Sequence, residues 1–121
     1  MLFDEDLSYQ IRGAIFEVYQ ELGCGYLEKT YERALLFELS ARGLEARGQV
    51  PLAVRYKGQI VGEYLADVLV ENCVLLELKA QSRLSGVEGA QLLNYLAISG
   101  LRVGMLVNFT YPKAQIRCLV R

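Results

Sequence analysis

Residues 64–80 read Tyr64-Leu65-Ala66-Asp67-Val68-Leu69-Val70-Glu71-Asn72-Cys73-Val74-Leu75-Leu76-Glu77-Leu78-Lys79-Ala80. Two apolar runs flank a short polar break, the pattern of two strands joined by a tight turn. The second run, 74–80, is nearly continuous in apolar residues, as expected of a strand buried on both faces. Glu77 and Lys79 lie two apart and share one face, while Leu76, Leu78 and Ala80 point the other way. Burying an isolated carboxylate or ammonium costs several kcal/mol, so a Glu-x-Lys pair inside such a strand needs a reason. The length of the turn decides whether Asp67 joins them. A two-residue turn at Glu71-Asn72 pairs Val70 with Cys73 and leaves Asp67 opposite Leu76, on the wrong face. A three-residue loop, Glu71-Asn72-Cys73, pairs Val70 with Val74 and sets Asp67 opposite Glu77. Opposed positions have Cβ atoms about 5 Å apart, close enough for two carboxylates to share a cation. Asn72 tolerates the left-handed backbone that such a loop uses, and the three-residue loop is the prediction.

Upstream, residues 48–56 read as a strand whose Pro51 suits a sheet edge, and Lys57-Gly58 turns it into the strand at 59–70. Before these come two helical patterns. Over 4–22, Leu7, Ile11, Ala14, Ile15, Val18 and Leu22 recur at helical spacing, with Asp4 or Asp6 as cap and Gly23-Cys24-Gly25 as terminator. Over 27–41, Leu27, Tyr31, Ala34, Leu35 and Leu39 form the apolar side. Downstream, a third helix is expected over 87–98, ended by Gly100, and strands over 102–109 and 115–120. The order is α-α-β-β-β-α-β-β, a mixed α/β domain filling 1–121, with no internal repeat and no linker.

Composition narrows the chemistry. The 121 residues are 53% hydrophobic and 22% charged, which suits one packed domain. Such a chain buries roughly two-thirds of its unfolded surface and folds without staples. No apolar run approaches the roughly 20 residues of a membrane span, and the acidic start at Asp4-Glu5-Asp6 does not read as a signal peptide. Three scattered cysteines, Cys24, Cys73 and Cys118, argue against a disulfide framework or a Cys-x-x-Cys zinc site; they point to a reducing cytoplasm and are expected as small core hydrophobes. The chain has no histidine, which removes Ser-His and Cys-His pairs and His-ligated zinc. Catalysis would rest on carboxylates, lysine, tyrosine or a hard metal ion held by oxygen. Residues 1–71 hold seven basic and twelve acidic residues, whereas residues 72–121 hold six and two. That asymmetry permits a local basic surface for nucleic acid without a basic pI, although an ordinary solvated surface gives the same tally.

On these residues the chain resembles a known superfamily. Asp67 followed by Glu77-Leu78-Lys79, on a strand pair flanked by helices, is similar to the PD-(D/E)xK nucleases. Gly25-Tyr26-Leu27-Glu28-Lys29-Thr30-Tyr31 matches the Gly-x-x-Glu-x-x-Tyr signature of the GxxExxY protein family, regarded as a branch of that superfamily. Ala90-Gln91-Leu92-Leu93-Asn94-Tyr95-Leu96 is similar to that family's helix after the Glu-x-Lys strand. The resemblance spans about residues 5–120 and implies a restriction-endonuclease-like mixed sheet flanked by helices. It further implies a metal-dependent nuclease hydrolysing phosphodiester bonds of DNA or RNA. Asp67, Glu77 and Glu28 would hold Mg²⁺ or Mn²⁺, Lys79 would orient or polarise the attacking water, and Gln91 would sit near the site. Relatives commonly carry histidines where this chain has Tyr19 and Glu88, and often an acid where it has Gly89. Their absence implies a slower enzyme, an altered metal preference, or no activity.

Several residues carry two readings. Tyr31 lies one turn from Glu28 and is either an auxiliary site group or a core tyrosine bonded to Glu28. Glu63, four before Asp67, shares its face and is a candidate outer acid. Gln81 and Arg83 follow the Glu-x-Lys strand, placed for phosphate or in a plain loop. Asn108-Phe109-Thr110 fits a glycosylation acceptor but falls inside a predicted strand, and is read as chance. The charged trio Asp67, Glu77 and Lys79 is alternatively a buried ion-pair network without chemistry. The protein would then be a catalytically inactive module binding nucleic acid or a partner protein. A homodimerisation domain is the third class, suggested by apolar content and eight tyrosines.

Overall fold

Asp4 sets the first helix. Its Oδ1 accepts the Leu7 N–H at 3.1 Å, satisfying a donor that has no intrahelical partner, and α1 then runs Glu5–Leu22. The computed structural model describes residues 4–121, so the start of the chain lies outside the described residues. Helix α2 (Glu28–Ala41) follows, then β1 (Ala46–Tyr56), β2 (Gln59–Val70), β3 (Val74–Lys79), α3 (Val87–Ser99), β4 (Val103–Phe109) and β5 (Ala114–Val120). Each element falls within a residue or two of its expected span, in the expected order.

The strands form one sheet in the order β1-β2-β3-β4-β5. β3 and β4 are parallel, joined through α3, and the other neighbours are antiparallel. β1 is an edge, as Pro51 requires. Ile11, Ile15, Leu35 and Leu39 of α1 and α2 pack on Val68, Val70, Leu76, Leu78, Met105 and Val107. Leu92 and Leu96 of α3 pack with Leu69, Leu75 and Leu106. Alternate residues of β3 therefore enter two cores on opposite faces, which explains its nearly continuous apolar run.

Two turns fix the register. Lys57 and Gly58 both take positive φ, 50° and 83°, the mirror-image turn whose twist matches the flanking strands. At the next turn Val70 pairs with Val74, so the loop has three residues, with Glu71 and Asn72 at φ 53° and 55°. The unfavourable backbone of Glu71 is offset locally. Its N–H donates to the Glu45 carbonyl at 2.8 Å, and its carboxylate accepts the Glu45 N–H at 2.6 Å.

The cysteines differ from expectation. Cys24 and Cys73 are exposed, Cys118 is half-buried, and all three are free. The first lies between two helices and the second ends the β2–β3 loop, both open to solvent. Only Cys118, on β5, packs against the main core.

Candidate active site

The β2–β3 ladder runs from Val70–Val74 to Val68–Leu76 and is then taken over by side chains. Glu77 Oε2 accepts the Asp67 N–H at 3.0 Å, and Asp67 Oδ2 accepts the Leu78 N–H at 2.7 Å. Continuing the register by one step sets Asp67 opposite Glu77, so each carboxylate supplies the hydrogen bond that a strand carbonyl would have supplied. The strands part here and the two acids fill the wedge. No buried side-chain oxygen or nitrogen among the described residues lacks a partner, so the oxygens not used in these bonds reach the opening.

The pair is electrostatically unfavourable as it stands. Burial pushes the Glu77 carboxyl up to about 8, with the charge of Asp67 adding to it, against the Asp67 N–H bond and Lys79. Asp67 is also raised, first by burial and then by the charges of Glu32 and Glu28, against the Leu78 N–H bond and Lys79. Lys79 is half-buried and pairs directly with Asn108 of β4. The ion pairs among the described residues are Lys29–Glu32 at 3.9 Å and Arg42–Glu38 at 2.9 Å, so Lys79 does not close a salt bridge with either acid. The trio is therefore not a satisfied ion-pair network.

Glu28 is exposed in the first turn of α2, and its charge is felt by both acids. Among the described residues no three acidic or thiol side chains converge as a ready-made metal cage. The donors that do converge are two carboxylates, each with one oxygen committed to a backbone N–H. Hard oxygen donors of this kind fit Mg²⁺ or Mn²⁺, and Mg²⁺ in particular is bound through one or two carboxylates while keeping several waters.

The Gly25-to-Tyr31 motif has a physical basis. Gly25 sits at φ 110°, which a side chain would strain. The Tyr31 hydroxyl donates to the Gly23 carbonyl at 2.6 Å and accepts the Tyr26 N–H at 3.3 Å. Its ring is 0% exposed and stacks on Phe109 with centroids 4.2 Å apart. Tyr31 thus belongs to the core, but it bonds the loop leading into Glu28 rather than Glu28 itself. Gln91 is half-buried on α3 beside Tyr95, whose phenol is raised by burial and then by the charges of Glu77 and Asp67. Glu88 and Tyr19 do other work or none near the pair. The Glu88 carboxyl is held below the usual range first by its own backbone N–H and then by Ser85, whose N–H it accepts at 3.0 Å, and Tyr19 packs on the α1–α2 core. Glu63 lies exposed on the outer part of β2.

Two residues at the site escaped the sequence reading. Glu32 is 7% exposed, accepts from Gln49 Nε2 at 2.7 Å, and is the largest charge raising Asp67. Its spacing of four from Glu28 puts both on one face of α2, a signal that was present. Asn108 is fully buried and clamps the end of the Glu-x-Lys strand. Its Oδ1 accepts the Gln81 N–H and its Nδ2 donates to the Gln81 carbonyl, both at 2.9 Å.

A mixed five-stranded sheet carrying an acid on β2 and Glu-x-Lys on β3 defines a class. A profile of the PD-(D/E)XK nuclease superfamily matches residues 5–119, and the chain belongs to that superfamily. Nucleases of this superfamily typically depend on divalent metal ions. Among solved structures the chain is similar to one described as the crystal structure of SSO0001, with a TM-score of 0.56 and 18% identity. The match covers 77% of this chain and 49% of that one, and it supports the fold. A comparison with curated proteins finds no match. No helix among the described residues is long and apolar enough to cross a membrane.

Proposed function

We propose that this protein, with residues 1–121 acting as one domain of the GxxExxY branch, is a metal-dependent nuclease hydrolysing phosphodiester bonds of DNA or RNA. The observation that carries the reading is the Asp67–Glu77 pair: two inward carboxylates opposed across parting strands, both raised by burial and like charge, with no ion pair closed by Lys79. A divalent cation removes that conflict, and its removal is worth more in a partly desolvated wedge than in water.

In this reading Asp67 and Glu77 hold Mg²⁺ or Mn²⁺, and Glu28 contributes from the edge. A bound ion supplies a Lewis acid for the phosphoryl oxygens and eases ionisation of a water. Lys79 donates to the attacking water or to a non-bridging phosphate oxygen. The water oxygen would bond to phosphorus as the bond to the leaving ester oxygen breaks; the water's proton would pass to solvent, and the leaving oxygen would take one up from solvent. Gln91 orients the substrate from α3. Tyr31 serves indirectly, by fixing the loop before Glu28.

A second reading is favoured by one specific observation. Among the described residues no third acid joins the close pair, and Glu88 is engaged by Ser85, which suits an inactive module that binds nucleic acid or a partner protein. Calorimetric titration of Mn²⁺ and Mg²⁺, with Asp67→Asn as control, separates the two. Nuclease function expects binding that disappears in the control, together with cleavage in a panel of single- and double-stranded DNA and RNA. Heat in neither protein and an uncut panel would leave the binding module.

A further inference from the structure

Between α3 and the outer half of the β1–β2 hairpin lies a groove of about 540 Å³, within the usual range of small-molecule sites. Tyr64, Tyr95, Gln91, Asn94, Val54 and Ile98 are among its walls, and no charged side chain lines it among the described residues. Tyr64 is 46% exposed, with its ring centroid 5.8 Å from that of Tyr95 at an interplanar angle of 45°. Tyr95 is nearly buried and packs with Leu69 and Leu75, which share a sheet face with Asp67 and Glu77, so the groove lies on the face that carries the acidic pair.

The chemistry of the walls selects the occupant. An ionic group would give up part of its hydration against walls that carry no opposite charge, which disfavours a phosphate. An aliphatic chain would leave the Gln91 and Asn94 amides unmatched. A neutral, planar heteroaromatic ring with hydrogen bonds along its edge satisfies both: an aromatic platform for the face and side-chain amides, which both donate and accept, for the edge. In a duplex that face is already stacked on its neighbours, so only an unpaired base can enter.

We propose that this groove holds an unpaired nucleobase of the strand whose phosphate lies at Asp67 and Glu77, with Tyr64 as the stacking platform, which makes the substrate a single strand or a frayed end. The inference rests on the nuclease reading and adds the substrate class to it.

Binding is measured rather than cleavage, by fluorescence anisotropy of labelled single-stranded DNA and RNA 12-mers and the matching duplexes. Ca²⁺ is present to occupy oxygen ligands. Single strands are expected to bind more tightly than duplexes. Tyr64→Ala is expected to weaken single-strand binding about tenfold or more, base stacking on an aromatic side chain being worth that much. The salt dependence should be unchanged, because no phosphate contact is lost. Tyr64→Phe keeps the ring and should bind like the parent. The chain has no tryptophan, so a 2-aminopurine in the strand can be excited without protein interference, and its quenching should vanish in Tyr64→Ala. Binding that is insensitive to Tyr64→Ala, or a preference for duplex, overturns the groove assignment while leaving the nuclease reading in place. A dimer in sedimentation that Tyr64→Ala dissolves would give the groove to a second copy and also overturn it. Failure to bind any of the nucleic acids would overturn both.

Discussion

Replacing Glu77 by Gln keeps a carbonyl oxygen to accept the Asp67 N–H and removes only the charge. The carboxyl sits at about 8 in the folded protein against an ordinary 4.5. Its folded value is raised, so its contribution to stability is fully present below about pH 4.5 and is lost as pH rises through about 8. Between those values the folded state holds a proton that the unfolded state has released, and stability falls by about 1.4 kcal/mol per pH unit. Integrated, the ionisable side chain costs about 3 kcal/mol near pH 7 and about 5 kcal/mol above pH 9. With a urea slope of about 1.5 kcal/mol/M for a domain of this size, Glu77→Gln should raise the unfolding midpoint by about 2 M at pH 7. The assay is urea unfolding in EDTA at pH 5, 7 and 8.5, parent against variant. The gap should widen with pH, and Mn²⁺ should narrow it by stabilising the parent alone. A variant less stable than the parent at pH 8.5, or a gap that does not grow with pH, would refute the claim that the two acids are in conflict.

Tyr31→Phe strips the hydroxyl from the Gly23 carbonyl and Tyr26 N–H while keeping the stack on Phe109, and should cost about 1–2 kcal/mol in urea unfolding. If the loop positions Glu28, the same variant should lose nuclease rate beyond what its remaining folded fraction explains. Asn108→Ala removes both bonds to Gln81 inside the core and should cost about 2–4 kcal/mol, visible as a lower thermal midpoint. Asp4→Ala, which removes the α1 cap, should cost about 1 kcal/mol by the same measurement. In thiol titration of the native protein, Cys24 should react first, Cys73 more slowly because burial and then the charges of Glu71 and Asp4 raise its thiol, and half-buried Cys118 slowest, checked by mass of the labelled peptides.

The order of elements was legible because each one carries its period openly, from Ile11-Ile15-Val18 on α1 to the nearly continuous apolar strand at 74–80. The register was legible for a sharper reason. Only a three-residue loop brings Asp67 to the face of Glu77, and the pairing of Val70 with Val74 bears that out. What stayed hidden depends on groups brought together from distant parts of the chain. Glu32 becomes part of the site because β1 passes beneath it at Gly48, where an added Cβ would come within 3.2 Å of its carboxylate. Asn108 looked like a chance glycosylation pattern because its partner, the backbone of Gln81, is 27 residues away. The cysteines misled because burial preference is an average over residues, whereas two of these three fall in loops.

The substitution of side chains for ladder bonds makes Asp67 and Glu77 the last rungs between β2 and β3 as well as the acids of the site. Truncating either one leaves a backbone N–H without its acceptor and lets the strand ends separate. An amide in the same place keeps the rung and discards the charge. A lineage that gave up catalysis on this scaffold would therefore drift towards Asn and Gln at these positions, not towards Ala, and would grow more stable as it did so.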